Sequence, residues 1–93
     1  MDKQKYLKEY FNDLRNIINF DNEKIQDLIS VSEILLNAHN NGKKTLIFGN
    51  GGSAAIASHF SVDITKNARV RCVNYNESDL LTCFSNDFGY EKW

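Results

Sequence analysis

The sequence predicts an α/β fold in which an N-terminal helical hairpin is followed by a βαβα unit of a parallel sheet. Apolar residues recur at helical spacing over residues 1–42, and short β-branched segments begin after residue 44. A glycine-rich turn joins the first of these segments to another helical stretch. A strand–helix–strand order implies parallel strands with a right-handed crossover. We therefore expect two parts, a helical hairpin over residues 1–42 that serves oligomerisation and an α/β unit over residues 43–93.

Composition narrows the class of protein. The chain has 93 residues, 42% of them hydrophobic and 25% charged, with a formal net charge of −1. This balance argues against binding to nucleic acid or to an anionic membrane. The first ten residues lack the apolar core of a signal peptide, so we expect a soluble, cytoplasmic protein. Cys72 and Cys83 are too few for a disulfide framework, and we expect reduced, mostly buried thiols.

Two apolar stripes predict the N-terminal helices. The first runs from Leu7 to Ile18 and the second from Ile25 to Ala38, with Asp21 or Asn22 as the cap between them. Gly42 follows the second stripe and is expected to end that helix in a left-handed conformation. Both apolar stripes are wider than two helices that pack only on each other would need. The excess surface meets either another subunit or the downstream sheet, and the pattern favours neither.

The α/β unit follows from local signals. Residues 45–48 are short, apolar and partly β-branched, which predicts a buried strand. Residues 49–53, Gly-Asn-Gly-Gly-Ser, predict a turn, here called the glycine loop, and residues 54–66 a helix. A second strand is expected over residues 68–75. A turn at residues 76–78 then caps a short helix over residues 79–85.

The glycine loop is the first candidate site. Ligands of open parallel sheets bind beyond the carboxyl ends of the strands, and a helix start offers unpaired N–H groups to an anion. Ser53 can cap the helix or donate its hydroxyl to a ligand. The loop has neither the G-x-G-x-x-G pattern of dinucleotide sites nor the Lys of a P-loop, so no nucleotide is expected. Both an ordinary tight turn and a phosphate site fit this segment.

Two polar pairs are the other candidates. His59 and Asp63 stand four residues apart on one helix face, where they could act as acid and base or as metal ligands, or form an ordinary surface pair. Asn86 and Asp87 follow the second predicted strand and could bind sugar hydroxyls, although Asn-Asp before an aromatic residue and Gly is also a usual helix-ending turn.

Taken together, these segments resemble the sugar isomerase (SIS) domain, and within it the phosphoheptose isomerases. The resemblance rests on Ile-Phe-Gly-Asn-Gly-Gly-Ser at residues 47–53, His-Phe at 59–60 and Asn-Asp-Phe-Gly-Tyr at 86–90, preceded by two long helices. It implies a three-layer α/β domain of which this chain is the N-terminal half. It also implies isomerisation of sedoheptulose 7-phosphate to a heptose 7-phosphate through an enediol, for the synthesis of lipopolysaccharide, capsule or other surface glycans.

The resemblance also implies roles for residues. Substrate contacts are expected from Asn50, Gly51, Gly52, Ser53, Asn86 and Asp87. His59 and Asp63 are expected to be catalytic and, in zinc-bound members, metal ligands; a homotetramer with a phosphorylated sugar as substrate is expected too. Asp63 stands where the family usually has Glu, one methylene longer. That difference, and the residues of the absent second half, lead us to expect that the 93 residues alone do not catalyse. The alternative is a non-catalytic SIS protein that binds sugar phosphates or associates with a replication initiator.

Overall fold

The structure is a computed structural model that describes residues 1–93, and it confirms the predicted α/β class. Four α-helices and two parallel strands account for most of it. In chain order these elements are α1 (Lys3–Ile17), α2 (Asn22–Asn40), β1 (Thr45–Ile47), α3 (Gly52–Asp63), β2 (Cys72–Asn74) and α4 (Ser78–Phe88). A π-helical turn, Ile64–Ala68, follows α3, and a 3₁₀ turn, Tyr90–Lys92, follows α4.

Side-chain caps begin the first two helices. The carboxylate of Asp2 accepts hydrogen bonds from the backbone N–H groups of Gln4 and Lys5 at 3.0 and 3.1 Å. Asp21 starts α2 in the same way, since its Oδ1 accepts from the Lys24 N–H at 2.9 Å. This bond, and a second from the Lys24 ammonium at 3.3 Å, lower the pKa of Asp21. Gly42, with a φ of 73°, lies just beyond α2 in the expected left-handed conformation.

The chain divides into two compact units, Met1–Ser32 and Glu33–Trp93. In the first unit, α1 buries no residue, and its apolar side chains are exposed, for example Leu7 at 50% and Phe11 at 55%. The predicted division into a hairpin over residues 1–42 and an α/β part over residues 43–93 stays a prediction. None of the helices has the length and apolar composition needed to cross a bilayer.

The second unit is built around the parallel pair of strands. Thr45 pairs with Cys72 and Ile47 with Asn74, and α3 packs against both strands as the crossover. The buried core is small and consists of Ala57, Val70 and Cys72. Burial raises the pKa of the Cys72 thiol. Cys83 lies exposed on α4, so the expectation of mostly buried thiols is confirmed for Cys72 and is wrong for Cys83.

Strand β2 is shorter than the segment 68–75 predicted for it. The π-helical turn continues the helix to Ala68, and Arg69 adopts a left-handed φ of 56°, so regular pairing starts only at Cys72. The predicted helix 54–66 begins two residues earlier and is regular only to Asp63. Helix α4 is longer than predicted, because Glu77 caps its start and Gly89 follows its end.

Arg71 connects the start of β2 to the end of α2. Its backbone N–H donates to Nδ1 of His39 at 3.1 Å, and its Nε donates to the Lys43 carbonyl at 2.9 Å. Its terminal nitrogen also donates to the His39 carbonyl. A cation thus satisfies carbonyls at the negative end of the helix.

Candidate functional site

The glycine loop lies between the carboxyl end of β1 and the amino end of α3. Gly51 precedes the helix with a φ of 56°, a value that favours glycine. Ser53 N–H donates to the Asn50 carbonyl at 3.0 Å, and the Ala54 N–H donates to the Gly51 carbonyl at 3.1 Å. The backbone N–H groups of Asn50, Gly51 and Gly52 donate to no protein acceptor. The Ser53 side chain does not cap the helix, and its hydroxyl is unused.

Gly49 has no room for a side chain. A Cβ added there would overlap the Ser53 carbonyl and come within 2.6 Å of the Ala54 nitrogen. By contrast, nothing lies within 4 Å of a Cβ added at Gly52. The first glycine therefore permits the first turn of α3 to fold back on the end of β1, whereas Gly52 leaves open space in front of the helix.

Asn76 holds the glycine loop from the end of β2. Its side-chain oxygen accepts from the Gly49 N–H at 2.9 Å, and its side-chain nitrogen donates to the Gly49 carbonyl at 2.6 Å. The amide thus pairs with the backbone of Gly49 as a neighbouring strand would. Asn74 supports it, donating to Oδ1 of Asn76 at 3.1 Å and to the Ile47 carbonyl at 3.0 Å. Ser58 on α3 donates to Oδ1 of Asn74 at 3.3 Å. This hydrogen-bond network therefore joins β1, β2 and α3.

Tyr90 holds the same loop from the other side. Its hydroxyl donates to Oδ1 of Asn50 at 2.5 Å, across 40 residues of chain. The Tyr90 ring also packs against Trp93, with a centroid separation of 6.2 Å. The segment after α4 is thereby fixed to a residue of the candidate site.

His59 and Asp63 lie together on α3, as their spacing predicts. His59 Nε2 is 3.6 Å from Asp63 Oδ2, and the two side chains are 77% and 53% exposed. No hydrogen bond joins either residue to the glycine loop. The pair has the donor and acceptor that proton transfer requires, in a position open to solvent.

The same pair is the candidate metal site. Zinc takes four protein ligands in structural sites and three protein ligands with a water molecule in catalytic sites. No group of three or more His, Cys, Asp or Glu side chains comes together in this chain. His59 and Asp63 therefore do not form a zinc site by themselves, and zinc stays a prediction.

Asn86 and Asp87 occupy the last turn of α4 rather than a loop. Asn86 Nδ2 donates to Asp87 Oδ1 at 3.1 Å, and Asp87 Oδ2 is 3.6 Å from the Cys83 sulfur. With Asp79, Thr82 and Cys83 they line a shallow, open depression of the surface. The pair makes no direct hydrogen bond to the glycine loop; Tyr90, three residues further on, makes that connection.

The structure thus arranges the predicted residues in three groups: the glycine loop, the His59–Asp63 pair and the Asn86–Asp87 pair. The roles predicted for them stay predictions. Asn76 and Tyr90, which position the loop, were not among the predicted site residues. The available signal for Asn76 was its place just beyond the carboxyl end of β2, where parallel sheets bind ligands. Nothing local to Tyr90 indicates its contact with Asn50.

Comparison with known proteins agrees with this architecture. The family model described as the SIS domain matches residues 6–77, which include most of α1, all of α2, the glycine loop, the His59–Asp63 pair and Asn76. The match thus spans most of the chain.

Curated relatives carry one recurring name. The chain is 36% identical to the phosphoheptose isomerase of Pectobacterium atrosepticum over 90 residues, which are 91% of this chain and 46% of that protein. It is 35% identical to the probable phosphoheptose isomerase of Thermoplasma acidophilum over 98% of this chain and 50% of the relative. With the phosphoheptose isomerase of Geotalea uraniireducens it shares 35% identity over 70% of this chain and 38% of the relative. The chain spans about half the length of these relatives, or less.

Proposed function

This chain belongs to the SIS domain family, and from that membership we propose that it forms the N-terminal half of a sugar-phosphate isomerase active site. The proposed reaction converts sedoheptulose 7-phosphate to a heptose 7-phosphate, for the heptose of surface glycans. Relatives named phosphoheptose isomerase, matched over 91% and 98% of this chain, support the choice of reaction.

The observation that carries the proposal is the glycine loop. The backbone N–H groups of Asn50, Gly51 and Gly52 are free, and they stand at the positive end of α3. Free N–H groups at a helix start suit a phosphate or another oxygen-rich group of the substrate. The open space in front of Gly52 lets a ligand approach the backbone.

The chemistry needs a proton to move between two carbons. In an enediol mechanism a base removes a proton from C1 of the ketose while the C2 carbonyl oxygen gains one. The same base, whose proton can exchange with solvent in the meantime, then protonates C2 as the C1 hydroxyl loses its own proton. Asp63 is the proposed base, and His59, 3.6 Å away, is the proposed donor to oxygen. The 12-residue helix α3 carries both the phosphate-binding start and this pair, so one substrate could span them.

A second candidate is a non-catalytic member of the family that binds a sugar phosphate. The exposure of His59 and Asp63 favours it, because a base at a water-filled surface has little help from its surroundings. The identity of residue 63 points the same way, since Asp reaches less far than the usual Glu. In this case the glycine loop would bind its ligand and α3 would do no chemistry.

The test follows proton exchange in the natural full-length protein. Sedoheptulose 7-phosphate is incubated in D2O, and loss of the C1 proton signal is followed by NMR. We expect exchange in the wild type, and a fall of about 100-fold or more in Asp63→Asn, since general base catalysis contributes about 10² to 10⁴. Asp13→Asn, an exposed aspartate of α1, is the matched control and should exchange at the wild-type rate.

Each outcome separates the two candidates. Phosphate-sugar binding without exchange in the wild type would establish the binding protein and remove the isomerase. Unchanged exchange in Asp63→Asn would remove Asp63 as the base while leaving the reaction in place.

Assembly, zinc and location are part of the same proposal. The exposed apolar side chains of α1 support a homotetramer with this helix at its interfaces. A zinc ion would use His59 and Asp63 together with ligands from outside these 93 residues. The absence of a membrane-spanning helix is compatible with the proposed cytoplasmic location.

A further inference from the structure

The chain contains two Asn-Gly sequences, and they lie at opposite kinds of helix end. Asn41 and Gly42 follow the last residue of α2, whereas Asn50 and Gly51 precede the first residue of α3. We propose that Asn50 is a site of spontaneous modification, at which the side-chain amide is converted to a carboxylate, and that Asn41 is protected from the same reaction. The new charge weakens anion binding by the glycine loop, a consequence that rests on the ligand-binding role proposed above.

The reaction needs only the chain and water. The backbone nitrogen of the next residue loses its proton to hydroxide and attacks Cγ of the asparagine, which closes a succinimide ring. The bond from Cγ to the amide nitrogen breaks, and ammonia leaves with a proton from water, which restores the hydroxide. Water then opens the ring at either carbonyl and yields aspartate or its β-linked isomer. Glycine favours the attack, because it has no Cβ to hinder the nitrogen.

The attacking nitrogen is free at one site and hydrogen-bonded at the other. The Gly51 N–H donates to no protein acceptor, whereas the Gly42 N–H donates to the His39 carbonyl at 3.1 Å. The Asn41 side chain is held as well, because its Nδ2 donates to the Asn37 carbonyl at 2.8 Å. Reaction at Asn41 therefore requires that two hydrogen bonds open first, one on the attacking group and one on the attacked group.

The side chain of Asn50 is held more weakly. Its one hydrogen bond joins Oδ1 to the Tyr90 hydroxyl at 2.5 Å, and both residues are exposed. Water competes almost evenly for an exposed hydrogen bond, so this contact leaves the amide available to the Gly51 nitrogen. The ring also has room to form, since nothing lies within 4 Å of a Cβ added at Gly51.

The two helix ends act in opposite directions on the reaction. Negative charge develops on the attacking nitrogen and then on the oxygen of the attacked carbonyl. The amino end of α3 carries a positive partial charge and favours this change at Gly51. Gly42 stands beyond the carboxyl end of α2, where the partial charge is negative. Hydrogen bonding and helix ends thus both favour modification at Asn50.

The experiment follows both sites in the natural full-length protein by peptide mass spectrometry. Native protein is incubated at pH 8, and the conversion of each asparagine is measured over time. We expect Asn50 to react at least about tenfold faster than Asn41, since only Asn41 must first open two hydrogen bonds. Protein unfolded in guanidinium chloride is the matched control, and there the two rates should agree within about threefold.

Two results would overturn the proposal. One is a native Asn41 that reacts as fast as Asn50 or faster. The other is a preference for Asn50 that persists unchanged in the unfolded chain, because the preference would then come from the neighbouring sequence and not from the fold.

The effect on the glycine loop is measured with inorganic phosphate as the probe. Asn50→Asp reproduces the charge of one product, and binding is followed from the amide signals of residues 51–52 in ¹⁵N-labelled protein. We expect the phosphate Kd to rise about 5-fold or more, because like charges repel at close range. Asn41→Asp adds the same charge beyond α2 and should bind phosphate as the wild type does. An unchanged Kd in Asn50→Asp would overturn the effect on binding.

These measurements separate the modification of Asn50 from the proposed reaction. If Asn50 is converted preferentially but the wild type neither binds phosphate nor exchanges the C1 proton of sedoheptulose 7-phosphate, the proposed function falls and the modification site stands. If the wild type isomerises this sugar phosphate and Asn50 reacts no faster than Asn41, the reaction stands and the modification site falls.

Discussion

Replacing Asn76 with Ala should release the glycine loop from the end of β2. The half-buried side chain forms two hydrogen bonds with Gly49, at 2.9 and 2.6 Å, and accepts one from Asn74 at 3.1 Å. At about 0.5 to 1.5 kcal/mol for each bond, and with water replacing part of the loss, the free energy of unfolding should fall by about 2 to 3 kcal/mol. The glycine loop itself should lose the most protection, because the Gly49 N–H has no acceptor other than Asn76.

Amide hydrogen exchange measures that local effect directly. In Asn76→Ala the Gly49 amide should exchange about 10- to 100-fold faster, since each 1.4 kcal/mol of lost protection corresponds to a factor of ten. Asn67→Ala is the matched control, because Asn67 is exposed in the π-helical turn and its side chain has no hydrogen bond. Its urea midpoint and its Gly49 exchange should equal those of the wild type. The same Gly49 exchange rate in both variants would refute the structural role given to Asn76.

Three further expectations concern single positions. Gly49→Ala should lower the free energy of unfolding by about 1 to 3 kcal/mol, since the new Cβ overlaps the backbone of Ser53. Gly52→Ala has open space at its Cβ and should change that free energy by less than about 1 kcal/mol. Urea unfolding measures both values, and equal losses in the two variants would contradict the packing argument. Iodoacetamide at pH 8 should alkylate exposed Cys83 at least about tenfold faster than Cys72, whose pKa is raised by burial and whose thiolate is therefore scarcer; peptide mass spectrometry measures both rates, and comparable rates would argue against a buried Cys72. The pKa of Asp21 lies below its ordinary value of 3.8, so its cap stabilises α2 above that pH and the effect is lost as pH falls through the folded-state pKa. Between pH 5 and 2 the Tm of Asp21→Asn should therefore fall by less than the Tm of the wild type. An equal fall of Tm in the two proteins would rule out this contribution of Asp21.

Local patterns explain why much of the architecture could be predicted. The apolar spacing of the first 40 residues indicates α1 and α2, and Gly42 ends the second helix where a left-handed residue is needed. The glycine loop could be predicted for the same reason, because the sequence changes at its glycines from a pattern typical of a strand to one typical of a helix. Each of these signals lies within a few residues of the element that it predicts.

Features that depend on distant contacts could not be predicted in this way. Strand β2 was expected to start at residue 68, but Val70 is buried without being in the strand, and Arg69 has a left-handed conformation. The turn expected at residues 76–78 does cap α4, through the carboxylate of Glu77, but the pairing of the Asn76 side chain with Gly49 was not predicted. The contacts of Asn76 and Tyr90 span 27 and 40 residues, so no sequence window contains both partners.

The parallel pairing of β1 with β2 has a consequence during synthesis of the chain. Ile47 ends β1, and its partner Asn74 is added 27 residues later. At about 5 to 20 residues per second, a ribosome needs roughly one to five seconds for that interval. During it, the apolar strand and the adjacent Phe48 have no partner strand, while α3 can already form from its own residues. The nascent chain is therefore most open to chaperones, and to mispairing with another copy, between the completion of its first strand and that of its second.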